Sequence, residues 1–186
     1  ALTSLTSLLM ADILDEAGLP AGVYNVVSGH GSEAGAALVA HPDIAHVTFT
    51  GSVRTGQGIM KTAADHVASV TLELGGKSPV AVLADADLDA AVEGTLKAIY
   101  MNAGQVCSAG SRLVVERKVH AEMMERLVAR VSAMQPGHGL DDAAIGPLVS
   151  ADQVRIVSDY VDDARRTNSL KVLVGGKRLA PEGMEK

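Results

Sequence analysis

The chain of 186 residues is 47% hydrophobic and 20% charged, the balance of a soluble globular protein that holds one domain or parts of two. Its formal net charge of −6, with acids and bases interspersed, argues against a nucleic-acid partner, which needs clustered Lys and Arg. A single cysteine excludes a disulfide framework and a cysteine-based zinc site. The apolar runs are shorter than the ~20 residues that span a bilayer, so we expect no membrane partner and a cytoplasmic location.

The first part of the chain alternates between helix and strand patterns. Apolar residues recur at helical spacing over residues 4–17, and Gly18 and Pro20 then end that helix. Short apolar runs predict strands at residues 23–27, 47–50 and 70–74. The first two strands are followed by predicted helices, one ending near residue 40 and one over about 55–66. Short glycine-bearing turns between such elements indicate parallel βαβ units.

The pattern restarts after Gly75 and Gly76. Further strands are predicted at residues 79–84, 113–116 and 171–176, and further helices at 88–101, 119–134 and about 151–166. The sequence therefore predicts an α/β fold of parallel sheets flanked by helices, divided into residues 1–75 and 76–186. Because the chain starts inside a helix and stops without a closing element, we also expect it to be the middle of a longer protein.

The only cysteine, Cys107, lies within "NAGQVCSAGSR", residues 102–112. Most free cysteines are small core hydrophobes, but the Gly, Ser and Gln neighbours here are poor core material and suit a tight turn at the mouth of a cleft. In such a turn, backbone N–H groups can face an anion and favour a thiolate. From the local sequence alone, a core cysteine and a reactive thiol both remain open.

A single acidic residue, Glu73, lies near the end of the apolar strand in "VTLELGGKSP". Alternation along the strand places Thr71 and Glu73 on the face opposite Val70, Leu72 and Leu74. A solvated strand end is the common explanation for such a residue. The functional alternative is a general base at the carboxyl edge of a parallel sheet, where α/β proteins place their ligand clefts.

Two glycine-bearing turns each lead from a predicted strand into a predicted helix. "GHGSEAG", residues 29–35, does not have the spacing of the dinucleotide fingerprint. "FTGSVRTG", residues 49–56, would place free amides and the Ser52 hydroxyl at a helix N-terminus, which suits a phosphate. An ordinary βα turn explains either one when taken alone. The six histidines have no metal-ligand spacing, so we expect no metal site.

In combination, these segments resemble the aldehyde dehydrogenase superfamily. "LELGGKSP" is similar to the family's glutamate motif, "NAGQVCSAGSR" to its cysteine motif, and "FTGS" followed by Gly56 to its cofactor-phosphate turn. The resemblance extends from "EAGLPAGVYNVVSG" to "IGPLVS", in matching order and separation. It implies that residues 1–75 are the C-terminal part of a Rossmann-type cofactor-binding domain. Residues 76–186 would then be the N-terminal part of the catalytic domain.

The resemblance implies oxidation of an aldehyde to a carboxylic acid, with hydride transfer to NAD or NADP. Cys107 would form a hemithioacetal and then a thioester, and Glu73 would activate the water that hydrolyses the thioester. It also implies a homodimer or homotetramer. Gly31 and Ser32 would lie near the adenosine half of the cofactor, Gly51 and Ser52 would contact its pyrophosphate, and the Leu74 backbone would help orient the nicotinamide amide. The resemblance also implies that Thr55 and Gly56 are cofactor-binding residues.

Several parts of the family's machinery would lie outside these 186 residues, among them the oxyanion-hole asparagine and the glutamate that holds the nicotinamide ribose. We therefore expect the chain alone to be inactive. Arg54 departs from the smaller or acidic residues often found at its position in the family. Two other activities remain open: an acyl-CoA-forming aldehyde dehydrogenase, in which CoA replaces water, and a cofactor-independent thiol esterase.

Overall fold

The computed structural model describes residues 2–141, 143–167 and 170–179. Its internal contacts divide the chain into two compact units, Ala1–Gly75 and Gly76–Lys186. Each unit contains two parallel strands joined by a helix, so the predicted α/β fold with parallel pairing and flanking helices is confirmed. The assignment of the two units to a cofactor-binding and a catalytic domain stays a prediction.

The first unit is built on one βαβ element. Strand β1 pairs in parallel with β2, in a register that runs from His46 opposite Ser69 to Gly51 opposite Leu74. Apolar side chains alternate along both strands and are half-buried beneath the connecting helix α3. The elements of this unit are α1 (Leu5–Glu16), a π-helical turn (Gly31–Gly35), α2 (Ala36–Val39), β1 (His46–Gly51), α3 (Val53–Ala64) and β2 (Ser69–Leu74).

The second unit contains a second βαβ element and most of the buried core. Strand β3 pairs in parallel with β4, and helix α4 connects them. Val82, Val92, Leu96 and Met123 form the buried cluster where β3, α4 and α5 meet. The elements of this unit are β3 (Pro79–Val82), α4 (Leu88–Tyr100), β4 (Arg112–Val115), α5 (His120–Ala133) and α6 (Ala151–Arg166), with short 3₁₀ turns at Met101–Gly104 and Gly139–Asp141.

Three helices begin at a polar side chain that accepts a hydrogen bond from the first turn. Asp87 accepts from the N–H groups of Asp89 (3.0 Å) and Ala90 (3.1 Å) at the start of α4. Ser52 and Ser150 do the same at the starts of α3 and α6. Such caps satisfy N–H groups that have no partner within the helix, and they fix where each helix starts.

Two predicted strands are wrong. Residues 23–27 are irregular, with Val23 and Val27 exposed, and they pair with no strand in the described part of the chain. Residues 171–176 are also irregular, because Gly175 and Gly176 have φ of 67° and 68°, which is incompatible with a strand. An apolar run becomes a strand only where a neighbouring strand takes its hydrogen bonds.

The helix predicted to end near residue 40 is also different from the expectation. It consists of the π-helical turn Gly31–Gly35 followed by only four α-helical residues. Glycine at both ends of that turn lowers the helix propensity of the segment. The remaining predicted helices and strands occur within two residues of their expected ends.

Candidate active site

The β1–α3 turn in the first unit holds the residues predicted to contact a phosphate. Gly51 ends β1, and Ser52 caps α3 by accepting a hydrogen bond from the Thr55 N–H at 3.2 Å. The Ser52 hydroxyl also lies 2.9 Å from that of Thr55. Within the described chain, the N–H groups of Val53 and Arg54 donate to no protein acceptor, and both residues are exposed. Two free N–H groups at a helix N-terminus form an anion-binding arrangement.

Gly56 and Leu74 lie on the packed side of this βαβ element. Gly56 is buried, and a Cβ placed on it would lie 3.0 Å from Leu74 Cδ2 and 3.4 Å from Leu72 Cδ1. This glycine therefore allows α3 to approach β2 closely. In the structure, Gly56 has a packing role. Its expected contact with the cofactor stays a prediction. The Leu74 side chain is half-buried, and Leu74 lies opposite Gly51 at the ends of β2 and β1.

Gly31 and Ser32 open the π-helical turn of the first unit. Both are exposed, and His30 precedes them in extended conformation. The His30 carbonyl accepts hydrogen bonds from the N–H groups of Glu33 and Ala34, both at 3.0 Å. The turn is thus closed by its own backbone, and the expected contact of Gly31 and Ser32 with the adenosine half stays a prediction.

Glu73 is the next-to-last residue of β2, directly opposite Thr50 in the parallel register. Its side chain lies on the exposed face of the strand pair, as the alternation of the sequence predicts. Within its own unit, no described side chain forms a hydrogen bond or ion pair with the Glu73 carboxylate.

Cys107 lies in a loop between α4 and β4 whose first residues have unusual backbone angles. Asn102, Ala103 and Gly104 all have positive φ, at 52°, 55° and 76°. Positive φ costs about 1–2 kcal/mol for most residues with a Cβ and less for asparagine, so Ala103 is strained and Asn102 less so. Such strain persists only where surrounding contacts determine the conformation.

Contacts at both ends of the loop provide that constraint. At its C-terminal end, the buried Gly110 donates its N–H to the Ala98 carbonyl at 2.9 Å. A Cβ on Gly110 would lie 2.6 Å from Val80 Cγ2, so only glycine fits between β3 and α4. At its N-terminal end, the half-buried Gln105 side chain accepts a hydrogen bond from the Val149 N–H at 2.9 Å. The loop is therefore fixed on both sides of Cys107.

Cys107 itself is exposed, which excludes the core-cysteine interpretation within the described structure. Its own N–H donates to no acceptor among the residues that the structure covers. The thiol and a free backbone donor thus occur on the same residue, on a loop whose other side chains are mostly small.

The glutamate and cysteine motifs meet inside the second unit. The Cβ position of Gly76 lies 3.8 Å from the Cys107 carbonyl oxygen. Arg112, which ends the cysteine motif, donates from Nε to the Lys77 carbonyl at 2.8 Å and from its backbone N–H to the Ser78 carbonyl at 3.2 Å. Glu73 and the β1–α3 turn belong to the first unit, so each half of the candidate site is described separately.

A cavity of about 520 Å³ lies near the start of the same loop, lined by residues that include Tyr100, Asn102 and Arg130. Cys107 is not among its lining residues. Burial raises the pKa of Tyr100. Arg130 hydrogen-bonds to Glu93 on the rim of this cavity and holds the pKa of that carboxyl below its usual value. These charges therefore form a pair between α4 and α5.

Sequence reasoning did not identify Gln105 or Gly110 as anchors of the Cys107 loop. Gln105 has a signal in retrospect, because it is the only long polar side chain between Gly104 and Ser111. The segment that it binds, Pro147–Val149, lies more than 40 residues away along the chain. Periodicity and local spacing carry no information about a contact of that range.

Two general findings concern other kinds of site. Over the described residues, no cluster of three or more His, Cys, Asp or Glu side chains is arranged to bind a metal ion. In the same part of the chain, none of the helices combines the length and hydrophobicity needed to cross a bilayer.

Comparison with known proteins gives a consistent result. The model of the aldehyde dehydrogenase family matches residues 1–186. Hydroxyisobutyraldehyde dehydrogenase of Mycolicibacterium austroafricanum is 45% identical over 177 residues, which are 95% of this chain and 35% of that protein. The chain therefore spans about a third of the length of this relative.

Solved structures resemble the chain to the same extent. An NAD+ complex of aldehyde dehydrogenase from Bacillus cereus is 44% identical, with a TM-score of 0.91 over 95% of this chain and 36% of that one. Betaine aldehyde dehydrogenase from Staphylococcus aureus, also in complex with NAD+, is 38% identical, with a TM-score of 0.91 over 97% of this chain and 36% of that one. The match in sequence and in fold thus extends over at least 95% of this chain.

Proposed function

The chain belongs to the aldehyde dehydrogenase family, and we propose that it supplies the nucleophile and the general base of an NAD(P)-dependent aldehyde oxidation. In this proposal the 186 residues work as part of a full-length enzyme. One observation supports it above the others: the two catalytic motifs meet inside the second unit, where Gly76 approaches the Cys107 carbonyl. Only two residues separate Glu73 from that glycine in the sequence.

The first step is addition of the Cys107 thiolate to the aldehyde carbonyl carbon. A C–S bond forms, and the carbonyl π electrons move onto oxygen to give a hemithioacetal oxyanion. The free N–H of Cys107 is available to donate to that oxyanion. The exposed position of the thiol, among small side chains, leaves space for a substrate.

The β1–α3 turn fits the pyrophosphate of NAD or NADP. The N–H groups of Val53 and Arg54 have no protein acceptor in the described chain, and they point out of the N-terminus of a 12-residue helix. Ser52 and Thr55 add hydroxyl groups at the same place, and the Arg54 side chain adds a positive charge. When bound, the nicotinamide cofactor accepts the hydride that leaves the substrate carbon, so that the product on Cys107 is a thioester.

The last step is hydrolysis of the thioester. Glu73 takes a proton from water, the resulting hydroxide adds to the thioester carbon, and the C–S bond breaks to release the carboxylic acid and the Cys107 thiolate. The exposed Glu73 carboxylate has no competing partner among the described residues of its unit. Hydrolysis by Glu73 favours an acid product over an acyl-CoA.

Activity of the full-length protein tests this proposal. We expect NADH or NADPH formation that depends on the aldehyde, with hydroxyisobutyraldehyde and betaine aldehyde as the first two substrates because relatives carry those names. Cys107→Ala should remove all activity, whereas Cys107→Ser should leave at most a trace. Glu73→Gln should retain a single burst of NADH, since hydride transfer precedes hydrolysis, and lose turnover by about 10²–10⁴-fold.

Three results would contradict the proposal or redirect it. Full turnover in Cys107→Ala would exclude the thiol mechanism. Steady turnover that requires CoA, with an acyl-CoA product, would assign the acyl-CoA-forming branch. Ester cleavage without any aldehyde-dependent reduction of NAD would assign a thiol esterase.

We further propose that the full-length protein is cytoplasmic and forms a homodimer or homotetramer. Light scattering of the full-length protein measures the mass of that assembly directly.

A further inference from the structure

The Gln105 side chain joins the Cys107 loop to a distant segment of the second unit. Its Oε1 accepts a hydrogen bond from the Val149 N–H at 2.9 Å, and its Nε2 donates to the Pro147 carbonyl at 3.5 Å. Val149 is followed by Ser150, which caps α6. The half-buried amide thus bridges the segment before α6 and a loop that starts more than 40 residues earlier.

The same side chain also constrains the strained residues of its own loop. Gln105 donates from Nε2 to the Asn102 carbonyl at 3.1 Å, and its backbone N–H donates to that carbonyl at 3.1 Å. The Asn102 side chain donates in return to the Gln105 carbonyl at 3.3 Å. These bonds close the turn formed by the positive-φ residues Asn102, Ala103 and Gly104, which directly precede Gln105.

We propose that Gln105 is a positioning residue, which fixes the backbone of the Cys107 loop through its amide group; this inference rests on the proposed function of Cys107. Gln105 precedes Cys107 by two residues, and no regular element lies between them. A shift at Gln105 therefore moves both the thiol and the free N–H of Cys107. An error of about 1 Å in the position of a reacting group can cost about 10²-fold in rate.

The chemistry of this position requires an amide. The side chain must accept from one backbone N–H and donate to two backbone carbonyls, those of Asn102 and Pro147. A carboxylate accepts only, and a thioether does neither well. Gln105 is thus suited to join three backbone groups, the Asn102 and Pro147 carbonyls and the Val149 N–H, through a single side chain.

The first experiment compares Gln105→Met with Gln135→Met in the full-length protein. Gln135 is exposed, lies in the same unit and provides a substitution of equal size. We expect Gln105→Met to lower kcat by about 10²-fold while the KM values for aldehyde and NAD change by about twofold or less. Gln135→Met should match the wild type in all three constants.

The second experiment uses Gln105→Glu, with Gln135→Glu as its control. A protonated carboxyl can donate and accept like the amide, but a carboxylate faces the two carbonyl oxygens without a proton. The kcat of Gln105→Glu, divided by that of the wild type at each pH, should therefore increase several-fold as the pH falls from 8.5 to 6. The same ratio for Gln135→Glu should stay constant.

Two outcomes would overturn the inference: a kcat in Gln105→Met equal to that of Gln135→Met, or a ratio for Gln105→Glu that does not change with pH. A residue needed only for folding would lower the active fraction, and that loss would not be recovered at low pH. Cys107→Ala separates the two proposals. If Cys107→Ala is inactive and Gln105→Met is normal, only the role of Gln105 fails. If Cys107→Ala is active, the proposed function fails.

Discussion

Val67 is a β-branched residue in the left-handed region of backbone conformation, with φ of 59° and 90% of its surface exposed. The N–H of Ala68 donates to the Ala63 carbonyl at 3.0 Å, and that of Val67 donates to the Ala64 carbonyl at 3.3 Å. This pair of hydrogen bonds is the Schellman motif that ends α3, and Val67 occupies the position where glycine is preferred. The exposed side chain provides little packing to offset its strain.

Val67→Gly is therefore expected to stabilise the protein. Removing the Cβ relieves the left-handed strain, and the greater freedom of glycine in the unfolded chain offsets part of the gain. Val67→Ala is the matched control, because it removes the same exposed methyl groups and keeps the Cβ. Urea unfolding of the full-length protein should give Val67→Gly about 1 kcal/mol more stability than Val67→Ala. Equal stabilities would mean that the backbone at this position is not strained.

At the scale of elements, ion pairs join α4 to α5 in the second unit. Arg130 donates to Glu93 from Nε at 2.6 Å and from a terminal nitrogen at 3.1 Å, which is a bidentate pair. Arg126 bonds to Asp89 on α4 and to Glu122 on its own helix. The Glu93 and Arg130 side chains are 58% and 50% exposed, so solvent and salt weaken the pair.

The Glu93–Arg130 pair predicts a stability that depends on pH in a definite direction. The pKa of Glu93 is lower in the folded protein than its ordinary value, so the pair stabilises the fold above the ordinary value. That contribution is lost as the pH falls through the lowered pKa. Glu93→Gln should thus reduce the thermal midpoint slightly at pH 7, and by less as the pH falls below the ordinary pKa of a glutamate.

The control for this prediction is Glu125→Gln, an exposed glutamate of α5 with no ion pair in the described structure. Scans at pH 7 in low salt and in 1 M NaCl complete the measurement, because salt should reduce the effect of Glu93→Gln. A loss of equal size at pH 3 and pH 7 would assign it to packing and not to charge.

The elements show how much of this fold the sequence could predict. Strands β1 to β4 were predicted from their short apolar runs, and in the structure each pairs with a parallel neighbour. Residues 23–27 and 171–176 are also apolar runs but have no such neighbour among the described residues, and a pattern in one segment contains no information on its partner. The roles expected of Cys107 and Glu73 came from motifs that resemble a known family, whereas the role of Gln105 depends on a contact with Val149 that only the tertiary structure contains.

At the scale of the whole molecule, many of the large apolar side chains in the described residues are exposed to solvent. Helix α1 has no buried residue, and Leu5, Leu9 and Ile13 are 80%, 58% and 49% exposed. Among the residues that the structure describes, each unit contains a sheet of two strands, with unpaired backbone groups at its edges. Sheets of this size are marginally stable in water, and exposed apolar faces of this kind promote association.

We therefore expect the 186-residue chain, expressed alone, to lack a cooperative thermal transition, to bind a dye for apolar surfaces and to elute as aggregates. The full-length protein should unfold cooperatively and bind little dye, because the additional chain would cover these faces. Calorimetry and size-exclusion chromatography on both proteins make the comparison. A sharp transition and monomeric elution of the 186-residue chain would show that its two units fold without further sequence.

The run of positive-φ residues before Cys107 has a consequence for chemical synthesis of this loop. Ala103, at φ 55° and ψ 32°, has the backbone angles that a mirror-image amino acid adopts in its own favoured helical region. D-alanine at position 103 would therefore occupy the native conformation without the strain that L-alanine has there. A semisynthetic protein with one inverted stereocentre, four residues before Cys107, would thus keep the native backbone of the loop at a lower cost in strain.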